Sequence, residues 1–102
     1  MSYNMPHNRA KLLLHTKDEF ADQAIVEMKV WSVPSSPRTP DGFKYSLVYI
    51  DGGGRRVLGY DNAEGKGHHR HEGDEETPVR FEGVDSLIGR FLDEVRELRR
   101  RP

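Results

Sequence analysis

Cysteine is absent from this 102-residue chain, which excludes a disulfide framework, a thiolate nucleophile and a thiolate zinc site. No apolar run approaches the roughly 20 residues needed to span a bilayer, and Met1 to Lys11 is polar, so no membrane is expected and a cytoplasmic location is. Charge of one sign is also missing: the formal net charge is −1, which argues against a nucleic-acid binder that works by bulk electrostatics. The apolar share is 34% against 32% charged, so a chain of this size forms one domain around a small core.

The charges that are present are unevenly placed. Acid gathers in Glu72 to Glu76, and base in Arg96 and Arg99 to Arg101. Lys66, His68, His69, Arg70 and His71 form a further mixed basic group. A nearly neutral protein with such a local site can still take up a phosphate chain.

Residues 1–10 mix Asn, Pro and His without a period and read as a flexible leader to a single domain over 11–102. Lys11 to Thr16, with Leu12, Leu13 and Leu14, reads as a first strand. From Gln23 to Val33 the pattern alternates: Ala24, Val26, Met28 and Val30 share one face, and Ile25, Glu27, Lys29 and Trp31 the other. That period of two predicts a strand. Pro34 to Gly42, rich in proline and closed by Asp41-Gly42, predicts a loop that is either a hairpin connection or a flap over a groove.

Phe43 to Ile50 alternates again, with Phe43, Tyr45, Leu47 and Tyr49 opposite Lys44, Ser46, Val48 and Ile50. Asp51-Gly-Gly-Gly54 is a hairpin signal, which makes Arg55 to Tyr60 the returning strand. Glu72 to Pro78 reads as an acidic loop and Val79 to Phe81 as a short final strand. Val84, Leu87, Ile88, Phe91, Leu92, Val95 and Leu98 recur at three and four and predict an amphipathic helix with a basic last turn. The expected fold is α+β: an antiparallel meander of four or five strands with one C-terminal helix packed on one face.

The stretch that carries chemistry is Tyr60 to His71, where three of the five histidines fall within four positions. In an extended segment His69 and His71 project together, while His68 and Arg70 point the other way. Two imidazoles on one side can act as general base and general acid about a phosphodiester. In RNA the 2′-hydroxyl is an internal nucleophile, so no cofactor is required. Lys66 and Arg70 would stabilise the charge growing on the phosphate oxygens, and Asp61 would orient an imidazole. Tyr60, Asn62, His68 and Lys44 are candidate substrate contacts.

The same atoms allow other readings. His-x-His suits zinc, nickel or copper, with Asp61, Glu72 or Asp74 completing the shell, although Lys66 and Arg70 place positive charge beside such a cation. The segment could also bind nucleic acid or another target without catalysis, or simply close the sheet.

Phe43-Lys-Tyr-Ser-Leu, then Leu58-Gly-Tyr-Asp-Asn-Ala-Glu-Gly-Lys-Gly-His-His-Arg-His71, then Val84-Asp-Ser-Leu-Ile before a terminal helix, resembles the TumE-type toxins of toxin–antitoxin modules. The resemblance covers most of the chain from Lys11 onward, and Tyr-Asp-Asn with Gly-Lys-Gly-x-His-Arg-His is its specific pattern. It implies a small toxin, neutralised by a cognate helix-turn-helix antitoxin, and it carries over Tyr60, Asp61, Asn62, Lys66, His69, Arg70 and His71. RNA is the substrate inferred from the side chains rather than from the resemblance. A homodimer is a further candidate assembly.

Overall fold

A six-stranded antiparallel sheet, with strands in the order of the chain, forms the body of the protein. The computed structural model describes residues 9–65 and 67–101, so most of the expected leader, and Lys66 with it, lie outside the described residues. The strands are β1 (Lys11–Glu19), β2 (Ile25–Ser32), β3 (Phe43–Ile50), β4 (Arg56–Asp61), β5 (His69–Glu72) and β6 (Glu75–Pro78). Helix α1 (Val84–Arg100) follows the last strand.

The strand count corrects the expectation of four or five. The acidic segment expected to be a loop contains β6, and the histidine segment contains β5. Val79 to Phe81, expected as the last strand, lies instead in the connection to the helix. Glu75–Pro78 has no apolar face to betray it; it becomes a strand through pairing with β5 across a turn at Gly73 and Asp74.

Alternation in β2, β3 and β4 sends one side of the sheet into the core. Val26, Met28, Val30, Tyr45, Leu47, Tyr49, Leu58 and Tyr60 are buried there together with Leu87, Phe91 and Val95 of α1. The helix crosses β3 and β4. Phe91 meets Tyr60 edge-on, with centroids 5.8 Å apart at 82°, an arrangement that aligns ring edge with ring face. Each such buried side chain contributes about 1.5–3 kcal/mol. Arg99 fastens the far end of the helix: its guanidinium lies 3.9 Å from the centre of the Phe20 ring, and Nη1 donates to Tyr49 Oη at 3.1 Å.

The opposite face is polar, and antiparallel register aligns its side chains in rows. One row runs His15, Lys29, Ser46, Asp61, His69 and Pro78. The next runs Lys17, Glu27, Val48, Gly59, His71 and Glu76.

Candidate functional site

Three devices fix the connection from β4 to β5. Asn62, 5% exposed, donates from Nδ2 to Phe43 O at 2.7 Å and accepts from Tyr45 N at 3.1 Å. Asp61 Oδ1 accepts from Ala63 N at 3.2 Å, starting a single 3-10 turn at Ala63–Gly65. Gly65 and Gly67, with φ of 69° and 83°, take the left-handed conformation that other residues enter at a cost. The chain then returns antiparallel to β4, so that His69 stands opposite Asp61 and Arg70 opposite Tyr60.

His69 and His71 lie on the open face. His71 Nε2 is 3.3 Å from Asp61 Oδ2, and His69 Nδ1 is 3.1 Å from Glu76 Oε2. Their side chains are 18% and 17% exposed, so each imidazole is held against a carboxylate while still reaching the surface.

Arg70 is not brought to these rings. It points to the helix side, where Nε is 3.1 Å from both oxygens of Glu94, Nη2 is 2.6 Å from Glu94 Oε2, and Nη2 reaches Glu72 at 2.9 Å. The two carboxylates hold the guanidinium even more firmly protonated than usual. Expected beside the phosphate with His69 and His71, the Arg70 guanidinium is placed by the structure on the other side of the sheet, between Glu94 and Glu72.

Tyr60, expected at the substrate, is fully buried and donates its hydroxyl to Glu94. Burial and the adjacent carboxylate push the phenol up to about 12, so it stays neutral. Burial would also push the Glu94 carboxyl up; the hydrogen bonds from Arg70 and Tyr60 outweigh it and hold the carboxyl below the usual glutamate range.

Asn62 is likewise spent on backbone contacts. His68 is wedged between Tyr45 Oη, 2.8 Å from Nδ1, and Asp41 Oδ2, 2.8 Å from Nε2, and it stacks on Phe81 at 4.5 Å. An ionised carboxylate only accepts, so Nε2 carries a hydrogen; in the neutral ring Nδ1 then accepts from Tyr45. Burial first, with nearby carboxylates adding to it, keeps the Tyr45 phenol protonated well above its usual range.

Lys44 stays exposed and borders a groove of about 780 Å³ on the open face. The flap alternative for the proline-rich loop allowed for a groove here, but not for its lining. Its walls include Lys29, Trp31, Ser46 and Asp61 from the sheet and Ser36, Arg38 and Thr39 from the proline-rich loop. Alternation had put Lys29 and Trp31 on the polar face, but the folding of that loop was not readable. Glu94 was missed too, although it stands at three and seven residues from Phe91 and Leu87, inside the apolar stripe. Among the described residues, no three His, Cys, Asp or Glu side chains gather as a metal ion would require.

A small meander sheet with one packed helix and a histidine pair set against carboxylates on its open face defines an α+β protein. The chain matches the family model described as Toxin TumE over residues 2–99, and it belongs to that family of toxin–antitoxin toxins. A cognate antitoxin is therefore its partner. No curated protein and no solved structure matches it. No helix among the described residues is long and apolar enough to cross a membrane.

Proposed function

We propose that this toxin is a metal-independent endoribonuclease whose working groups are His69 and His71, with Asp61 orienting His71. The observation that carries the reading is the alternate placement of the two imidazoles on one bare face, each set against a carboxylate. The contact between Asp61 Oδ2 and His71 Nε2 positions that ring, and an imidazole can both take and give a proton near neutral pH.

The step balances without a cofactor. One imidazole takes the 2′-hydroxyl proton as O2′ bonds to phosphorus; the P–O5′ bond breaks, and the second imidazole protonates the departing O5′. The products are a 2′,3′-cyclic phosphate and a 5′-hydroxyl end. Lys66, between two glycines, and Lys44, bordering the neighbouring groove, supply positive charge for the phosphate oxygens.

Purified toxin should cut RNA in EDTA, and His69→Ala and His71→Ala should each abolish cleavage and restore growth on induction while unfolding like the parent. RNA left intact by a protein that still arrests growth would overturn the catalytic reading. The engagement of both imidazoles with carboxylates also favours a second reading, a non-catalytic RNA-binding toxin. That reading requires salt-sensitive binding without product.

A further inference from the structure

The open face carries an aromatic ring that the core does not use. Tyr45, Tyr49, Tyr60 and Phe91 are buried on the helix side, whereas Trp31 is 37% exposed on the other side. It stands directly across from Lys44 in the β2–β3 register. Lys29, two residues before Trp31 in β2, shares its face and is paired with Ser46, which in turn is paired with Asp61. The groove over these residues is roofed by the proline-rich loop. Arg38 of that loop packs beside the 3-10 turn, its Cγ 3.4 Å from where a Cβ on Gly65 would stand.

Charge and shape in this groove agree. Among the described residues, Lys29, Arg38 and Lys44 contribute three cations to its lining against one carboxylate, Asp61, and that carboxylate faces His71. A volume of about 780 Å³ lies within the range of sites that take small organic ligands, roughly 300–1,000 Å³. A planar ring flanked by cations suits a nucleobase between two phosphates, because stacking tolerates any base and the cations track the backbone.

We propose that this groove is a subsite for single-stranded RNA, in which a base stacks on Trp31 and the adjoining phosphates meet Lys29, Lys44 and Arg38. The inference rests on RNA being the ligand of the histidine face and gives the path of the strand. Lys29 and His69 belong to one cross-sheet row, three strand spacings apart, or roughly 14 Å at the usual separation. A short oligonucleotide seated in the groove therefore extends past Asp61 to the imidazoles.

The chain has a single tryptophan, so its fluorescence reports the stack directly. The probe is a short oligouridylate with 2′-O-methyl groups, which cannot be cleaved because its internal nucleophile is blocked. Titration into full-length toxin should quench Trp31. Trp31→Ala should weaken binding, read by anisotropy of an end label, roughly 5- to 100-fold, and Trp31→Phe should recover much of it. Lys44→Ala should weaken binding to all sequences alike and reduce the salt slope by about one.

Circular dichroism and urea unfolding of each variant establish that it is folded, and Trp31→Phe gives the same test with the ring retained. No binding, or binding without quenching and indifferent to Trp31→Ala, would overturn the groove assignment. So would antitoxin binding that is lost in Trp31→Ala while RNA binding is kept. Cleavage of ordinary RNA undisturbed by Trp31→Ala removes the groove and leaves the ribonuclease standing. Quenching and binding without cleavage do the reverse.

Discussion

Arg70 and Glu94 are joined through two nitrogens of the guanidinium, with Nε 3.1 Å from each carboxylate oxygen and Nη2 2.6 Å from Oε2. The pair spans from β5 to the middle of α1 and is partly shielded, with side chains 25% and 30% exposed. Glu94→Ala strips the buried Tyr60 hydroxyl of its acceptor and leaves Arg70 with Glu72 alone. It should lower stability by about 1–3 kcal/mol, less than a fully buried pair because water still reaches it. The midpoint of urea unfolding reads this, and Tyr60→Phe should lose about 1 kcal/mol by the same measure.

The depressed Glu94 carboxyl sets the direction of the acid response. Its folded-state affinity for protons is below that of an unfolded glutamate, so its contribution is fully present above the unfolded value near pH 4.3. That contribution is lost as pH falls through the lower folded value. Urea midpoints measured from pH 6 downward should fall through this window in the parent and more shallowly in Glu94→Gln. Equal slopes in the two proteins would refute the assignment.

His68 ties the proline-rich loop to the core through Asp41 and Tyr45. His68→Ala removes both contacts and the stack on Phe81, and it should cost about 1–3 kcal/mol. Limited proteolysis should then cut within residues 34–42 sooner than in the parent. Asp41→Ala should free the loop while costing less, since the ring keeps Tyr45 and Phe81.

Two turns touch at the far end of the sheet. A Cβ on Gly52 would stand 2.3 Å from the backbone oxygen of Asp22, closer than any real contact, and neither partner is a flexible side-chain tip. Gly52→Ala should therefore destabilise by about 1–3 kcal/mol, within the range of overpacking. Gly53→Ala, whose nearest atom is 3.4 Å away on the Asp51 side chain, should change little. Thermal melting of the two variants side by side checks this.

Alternation made β2 and β3 legible, down to which residues face the core, and the run Phe43–Ile50 is β3 with the same bounds. The spacing of Leu87, Phe91 and Val95 foretold the helix. β6 was hidden because Glu75–Pro78 is polar and exposed throughout, so only its backbone pairing makes it a strand. β1 runs on to Glu19 for the same reason, paired with β2 beyond its apolar start. Placing His69 and His71 on one side of an extended segment needed only a period of two. Their carboxylates, Arg70's engagement with Glu94 and the groove over Trp31 depend on which strands become neighbours and in what register, and local sequence does not carry that.

The Arg70–Glu94 link bears on the histidines without touching them. Side chains on a strand alternate, so sliding β5 by one position would turn His69 and His71 toward the hydrophobic interior and expose Arg70. This four-residue strand is held in register by that link together with the ladders to β4 and β6 and the anchoring of His68 just before it. The guanidinium therefore works as one of the pegs that keep the imidazoles looking outward.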